Sequence, residues 1–509
     1  MIWIAIAATS VVLVVLYDLT QRRHAILRNF PIVGHFRYLL ESIGPELRQY
    51  IVTSNDEERP FSRDQRSWVY ASAKRQNNYF GFGTDNDLEQ TPGYVIIKHS
   101  AFPLTEPHKG DVGYDALHPI PCPKVVGGPR GRSKAFRPAS VVNIGAMSYG
   151  SLSARAVEAI NRGVAIGGGL HNTGEGGVSS HHQHGGDLIW QLGTGYFGAR
   201  AEDGRFSMDR LKEVVARVPT IRGIEIKMSQ GAKPGRGGVL PAAKITKEIS
   251  EIRGIPRGKD CISPPGHSAF SDVDSLLDFA ESIASETGLP VGIKSAVGQQ
   301  GFWADLAAAM ESKERGVDWI AIDGGEGGTG AAPLVFSDHV ALPFKVGFAR
   351  VYTEFAKRDL TDQLAFFGSG RLGFPAEALL AMAMGCDAVY VAREAMMALG
   401  CIQAQRCQTG HCPTGVATQN KWLVRGLDPR DKAARLANYL ITLRKELMWL
   451  TRATGAAHPA LVDLDSFEML DERFGAESPR SVFTYDDGWG QPGESVRSEL
   501  LRVLDARDG

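Results

Sequence analysis

Charge of one sign is what this 509-residue chain lacks: 56 Lys and Arg oppose 57 Asp and Glu, for a formal net charge of -1. Without a basic field the surface has no electrostatic footprint for nucleic acid, and without an acidic excess it has no signature of disorder. Cysteine is scarce too. Six residues in 509 are too few to staple a scaffold, so the chain reads as a globular protein with reduced thiols. No separate dinucleotide-binding domain is expected: the G-x-G-x-x-G runs at 193–198, 325–330 and 368–373 fall within one alternating region rather than in a unit of their own. Long hydrophobic runs are missing after the first twenty residues.

Those first residues are the exception. Ile2–Tyr17 carries no charge, and Asp18 and the basic Arg22, Arg23 and Arg28 follow it. The run is just long enough to span a bilayer, which takes ~20 apolar residues. A cleaved signal would carry positive charge before the run and small residues after it. The flanks therefore favour one uncleaved N-terminal anchor over a signal or a buried core helix, with the rest of the chain cytoplasmic.

Glycine is plentiful, 58 residues, and clustered in "IGGGLHNTGEGG", "GAKPGRGG" and "DGGEGGTGA". Clusters of this kind at strand ends let backbone approach a ligand. From Val141 onward, short apolar segments alternate with helical ones. The strand candidates are 141–147, 167–172, 223–228, 260–263, 291–296, 318–324, 364–370 and 388–393, "DCIS" at 260–263 having the weakest pattern. Alternation implies a parallel sheet, and eight repeats favour a closed (β/α)8 TIM barrel over an open doubly wound sheet. The expected plan is an anchor at 1–20, an extension at 21–137, the barrel at 138–425 and a C-terminal helix and tail at 426–509.

In such a barrel the residues just past each strand line the mouth. They are Met147 and Ser148; Asn172, Thr173 and Glu175; Lys227 and Gln230; Lys294 and Gln299; Asp323, Gly324 and Gly325; Ser369 and Gly370; Ala392 and Arg393. The last two strands end in "GSGR" and "VAREA", where barrels often bind phosphate, so a phosphate-bearing cofactor is expected. After them, Cys401, Cys407 and Cys412 share one loop, 400–415, as Cys-x5-Cys-x4-Cys-Pro. Three is an awkward number for disulfides, and the spacing is not that of paired zinc clips.

Six motifs in order, "AMSYGSLS", "NTGEGG", "EIKMSQGAKPGRGG", "ISPPGH", "GGEGGTGAAPL" and "GCIQAQRCQTGHCPTGVATQN", resemble the synthase domain of the FMN-binding glutamate synthase family, from Pro138 to Gly455. The resemblance implies a 3Fe–4S cluster on Cys401, Cys407 and Cys412, in keeping with the thiolate ligation such clusters take. A Cys3His zinc site using His411 is the rival reading. Cys122, Cys261 and Cys386 read as structural thiols. FMN would lie across the mouth, with Met147 and Ser148 at its ring and Lys227 and Gln230 at its polar edge. Gly324, Gly325, Ser369, Gly370, Ala392 and Arg393 would hold its ribityl chain and phosphate, with Asn172, Thr173 and Lys294 also among the cofactor contacts. Lys294 and Glu175 would act on a 2-oxo acid, the lysine polarising the C2 imine and the carboxylate managing amine protons.

Three departures bear on that carry-over. "VSSHH" stands where the family has an acidic pair, putting His181 and His182 on what reads as a solvated loop. "GSGRL" moves an arginine one place forward, to Arg371. No glutaminase module with its N-terminal cysteine precedes the barrel, so nitrogen would come from outside, including from a separate glutaminase subunit. Electrons would come from a ferredoxin-like carrier, a reductase subunit or a membrane-associated donor. The expected activity is formation of glutamate from 2-oxoglutarate or a similar 2-oxo acid. Two alternatives stay open: an amine–glutamate transferase of the N-methylglutamate synthase type, and a membrane-tethered redox relay without substrate chemistry.

Overall fold

The computed structural model describes every residue except Arg22, Arg23, Ser54, Asp56, Glu57, Glu89, Gln90, Val112, Phe474 and Gly509. Two of the three arginines of the anchor's basic flank, Arg22 and Arg23, thus lie outside the described residues. The chain forms two compact units, Met1–Ser67 and Trp68–Gly509.

In the larger unit eight parallel strands close into a barrel. In chain order they are β1 (Val142–Ile144), β2 (Leu170–Asn172), β3 (Asp187–Leu192), β4 (Ile221–Lys227), β5 (Val291–Ser295), β6 (Trp319–Asp323), β7 (Ala365–Ser369) and β8 (Ala388–Val391), and β8 pairs back onto β1. The strands from β5 on are buried along their whole length, as expected where helices cover a parallel sheet. One expectation is corrected. "DCIS" is not a barrel strand: Cys261–Ile262 pairs antiparallel with Val239–Leu240 in a small hairpin outside the barrel. The missing strand is "DLIWQL", β3, whose Leu188–Leu192 are all buried. Its penultimate residue, Gln191, disguised it, because that amide is consumed inside the barrel rather than exposed.

The interior is filled by Val126, Phe136, Leu170, Ile189, Trp319, Phe367 and Tyr390 among others. Val126 and Phe136 bridge antiparallel just before β1 and join this cluster from the preceding segment. Outside, the helix Ala154–Gly167 starts on the Ser153 side chain, which accepts the Ala156 N–H, and packs on the long helix Pro429–Ala453. Gly163 permits the close approach, since a Cβ there would lie 2.9 Å from Leu436. Arg444, 1% exposed, locks the pair by donating to the Gly168 carbonyl at 3.2 Å and also to that of Gly167. The expected strand in "TPGYVIIKHSAFP" is Val95–Ile97, and its partner is Phe467–Leu470 near the C-terminus.

In the smaller unit, α1 (Ile2–Thr20) is long and apolar enough to cross a membrane and is almost wholly exposed in the chain. It is followed by α2 (Ala25–Asn29) and α3 (Val33–Leu47).

Candidate functional site

Two lysines begin the site. Lys227 and Lys294 are register partners on adjacent parallel strands, β4 and β5, so both project to the same side at the C-terminal ends. Side by side they would repel, and each has its own carboxylate. Lys227 Nζ lies 3.0 Å from Glu175 Oε2, and Lys294 Nζ 3.5 Å from Asp323 Oδ2. Asp323 is held in turn by the Ser369 hydroxyl (2.8 Å) and the Gly231 N–H (2.9 Å). The mouth therefore carries two ion pairs, Glu175–Lys227 and Asp323–Lys294, with the two lysines adjacent between the carboxylates.

Glu175 sits deeper in positive surroundings than its sequence position indicated. Burial pushes its carboxyl up, but Lys227, Arg253 and Lys233 outweigh that and hold it below the usual carboxylate range. Two of those cations were missed in the sequence. Lys233, 6% exposed, donates to the Ala331 carbonyl at 2.8 Å. Burial, aided by Lys227, lowers its amine to about 8. Arg253, 4% exposed, donates to the Tyr149 carbonyl (2.9 Å) and reaches the Ser148 hydroxyl (3.5 Å). Lys233 lay in a quoted glycine-rich motif, but Arg253 comes from a helix twenty residues further on and carried no signal.

The glycines explain the space. A Cβ on Gly238 would lie 2.1 Å from Glu175 Oε1, so "GRGG" is the wall against which that carboxylate rests. Gly174 takes φ +65 and would drive a Cβ to 2.5 Å from the Ser148 nitrogen, which lets the "NTGEGG" turn lie on the β1 loop. His267 of "ISPPGH" is a further residue that sequence reasoning passed over. Its Nε2 donates to the Lys227 carbonyl (2.9 Å) and its Nδ1 accepts from Tyr196 OH (3.1 Å). Burial lowers it to about 4, so it is a neutral strut under the lysine.

Other sequence-derived residues serve the scaffold. Asn172 donates to Glu225 (2.7 Å) and accepts the Gly174 N–H (3.1 Å). The Thr173 hydroxyl donates to the Gly174 carbonyl (3.0 Å) and accepts the Gln191 N–H (3.1 Å). Gln230 accepts from Lys227 (3.1 Å) and donates to the Gly328 carbonyl (3.3 Å), joining two loops across the mouth. The N–H groups of Gly324 and Gly325 donate to Ser369 and Leu342 carbonyls, so these glycines offer close approach rather than free donors. Arg393 donates to the Glu326 carbonyl (2.6 Å), and the Arg371 charge lowers its guanidinium further after burial has done so. Two cations thus share the β7–β8 end. Gln299 lies in the loop after β5, before the helix Gly301–Ala309.

His182 corrects the expectation of a solvated histidine pair: it is fully buried, accepts the Ser179 N–H at 3.0 Å and lies 5.2 Å from the His171 ring. Burial, then His181, drops it to about 3. His181 is only partly buried and lies 3.0 Å from Glu248 Oε1.

The cysteine loop is stitched to the β1 loop. Ser153 N–H donates to the Val416 carbonyl (2.9 Å), and the Gln419 amide to the Gly150 and Leu152 carbonyls. Lys244, 3% exposed, donates to the carbonyls of Cys407 (2.7 Å), Ala417 (3.0 Å) and Ser151 (3.3 Å). Tyr70 OH fixes the Cys401 carbonyl (2.8 Å). Burial raises the Cys412 thiol, but N–H donors from Ala417, Thr414 and Val416 and the Thr414 hydroxyl bring it below the usual thiol range. Among the described residues, no three His, Cys, Asp or Glu side chains converge as for a single ion. His411 is exposed, its Nδ1 2.9 Å from the Thr409 carbonyl.

The family comparison agrees with this architecture. Residues 129–457 match the conserved region in glutamate synthase. The glutamate synthase large subunit-like protein YerD of Bacillus subtilis is 38% identical over 488 residues, 90% of this chain and 92% of that protein. The archaeal glutamate synthase [NADPH] of Methanocaldococcus jannaschii is 37% identical over 62% of this chain and 59% of its own length. Among solved structures, a mandelate oxidase variant with a monooxide FMN adduct aligns at TM-score 0.41 and 14% identity, over 84% of this chain and 96% of that one. On the match of its barrel and its kinship along nine-tenths of its length, this chain belongs to the glutamate synthase family and is an oxidoreductase.

Proposed function

We propose that the chain is an FMN- and iron–sulfur-dependent enzyme that forms glutamate from 2-oxoglutarate, using nitrogen and electrons supplied from outside. The observation that carries this reading is the cation cluster around one carboxylate: Lys227, Lys233 and Arg253 about Glu175, with Lys294 on the neighbouring strand. A dicarboxylate substrate needs two such positive positions, and its reacting carbon needs a third group beside it.

The residues also suit the two cofactors. Arg371 and Arg393 share the β7–β8 end with Glu394, Asp323 and Glu326, and the two guanidinium groups suit a phosphate there. N–H donors aimed at Cys412 suit a cluster thiolate, whose sulfur such bonds stabilise. Met147, Ser148 and the loop glycines would flank FMN, and Cys401, Cys407 and Cys412 would ligate the cluster. When bound, FMN supplies hydride and the 3Fe–4S cluster supplies single electrons.

Within this reading the chain's own groups divide the work. Lys233 and Arg253 hold the substrate carboxylates. Lys294 polarises the C2 position, with Asp323 keeping it oriented. Glu175, kept ionised by its cations, accepts protons from the incoming amine. Lys233, lowered to about 8, can return a proton near neutral pH. The helix α1 would anchor the enzyme, with the barrel on the cytoplasmic side.

Anaerobically purified protein should contain FMN and iron, with an EPR signal from the oxidised cluster. Given an artificial reductant and 2-oxoglutarate, it should make glutamate with ammonium and none with glutamine alone. Product from methylamine but not ammonium would move it to the amine–glutamate transferases. Bound cofactors with neither product would leave a redox relay, and stoichiometric zinc without iron would overturn the cluster.

A further inference from the structure

Helix α3 turns an apolar stripe outward. Val33, Phe36, Leu39, Leu40, Ile43 and Leu47 recur at three- and four-residue intervals, so they share one side of the helix. Packing uses the other side. Gly34 faces α2, where an added Cβ would lie 2.9 Å from Leu27, itself buried. The stripe is left 41–72% exposed along all its positions, and Ile51 and Val52 beyond it are 70% and 74% exposed. A soluble surface rarely tolerates a continuous patch of this kind. The helix does not cross a bilayer: fifteen residues are too short, and they include Arg37, Glu41 and Glu46.

Its placement relative to α1 is held by a clasp. Asp18, in the last turn of α1, accepts the Ile32 N–H at 2.9 Å and lies 2.9 Å from His35 Nε2. Ile32 turns the chain with φ +65. The apolar stripe of α3 therefore begins where the apolar run of α1 ends. Between Gln21 and Val52 the sequence has five arginines (22, 23, 28, 37 and 48) against two glutamates and no other acid.

We infer that α3 lies flat in the membrane–water interface, its stripe among the acyl chains and the positive balance of the segment favouring anionic headgroups. This rests on the reading of α1 as a membrane anchor. An amphipathic helix of this type binds by apolar burial plus attraction to anionic lipid. Continuity with α1 and the positive balance both favour a lipid surface as its occupant over a second copy of the chain.

The test uses full-length protein and flotation on phosphatidylcholine vesicles with or without phosphatidylglycerol. Ile6→Asp/Leu13→Asp disables α1 as a span; Phe36→Ser/Leu40→Ser/Ile43→Ser strips α3. The α1 variant should still float on phosphatidylglycerol vesicles, be released by salt, and bind pure phosphatidylcholine weakly. Adding the three serines to it should cut binding by more than about tenfold, since three large apolar side chains leave the interface. Thermal unfolding of the barrel should be unchanged throughout. Failure of the α1 variant to float on anionic vesicles, or equal flotation with and without the serines, would overturn the interfacial helix. If wild type itself failed to float, the anchor reading would fall. Serines that dissolve an oligomer without changing flotation would assign the stripe to a second copy and overturn the lipid assignment.

Discussion

Two glutamates in one barrel, Glu225 inside and Glu175 at the mouth, show how the same side chain is used in opposite ways. Glu225 on β4 is 0% exposed, and among the described residues its hydrogen-bond partners are neutral: Asn172 and Gln191 at 2.7 Å, Trp319 at 3.2 Å and Tyr390 at 3.3 Å. These come from four other strands, so a single carboxylate ties β2, β3, β6 and β8 to β4. Glu175 instead has Lys227 at 3.0 Å, with Arg253 and Lys233 near by. Neutral donors fixed by strand geometry make a brace. Cations on long side chains suit a site, because an incoming anion can compete for them.

The sharpest way to break the comparison is Glu225→Ala. It would strand four buried donors, and loss of stability of about 3–5 kcal/mol is expected, read as a large fall in Tm or as failure to fold. A drop under about 1 kcal/mol would show that Glu225 is no brace.

Lys294→Ala should do the reverse. Turnover should fall by about 10²–10³ at saturating 2-oxo acid, while FMN content and Tm stay near wild type. A loss below about tenfold would remove Lys294 from the chemistry.

Acid should probe the braces next. His182 at about 3 and His267 and His458 at about 4 are all held below the ordinary value of 6.5, chiefly by burial. Between those values the unfolded chain binds protons that the folded chain refuses, so stability is full above about 6.5 and lost as pH falls toward 4. His458→Gln should flatten that slope measurably in urea titrations at pH 5 and pH 7.

The smallest effect is expected at Lys244, whose three carbonyl bonds join the cysteine loop to the β1 loop. Lys244→Met should leave the unfolding free energy of the barrel within about 2 kcal/mol of wild type. It should speed amide exchange at residues 405–418 and lower iron content on purification. Unchanged exchange would show that the loop is held by its other ties.

How much of this was legible follows from what each residue answers to. Strands β5 to β8 were readable because both of their faces are buried, giving unbroken apolar runs. β3 was not, since Gln191 breaks its run for a partner, Glu225, thirty-four residues away. Lys227 and Lys294 were legible as strand-end residues of a barrel, but their pairing with Glu175 and Asp323 was not. Thus the sequence alone determined the parallel barrel, its mouth and the three-cysteine loop, because periodicity and spacing are local. Only the tertiary structure decided which glutamate is surrounded by neutral donors and which by cations, that His182 is buried, and that Lys233 and Arg253 join the mouth. Those outcomes depend on burial and on charges brought together from distant strands, and no spacing along the chain records them.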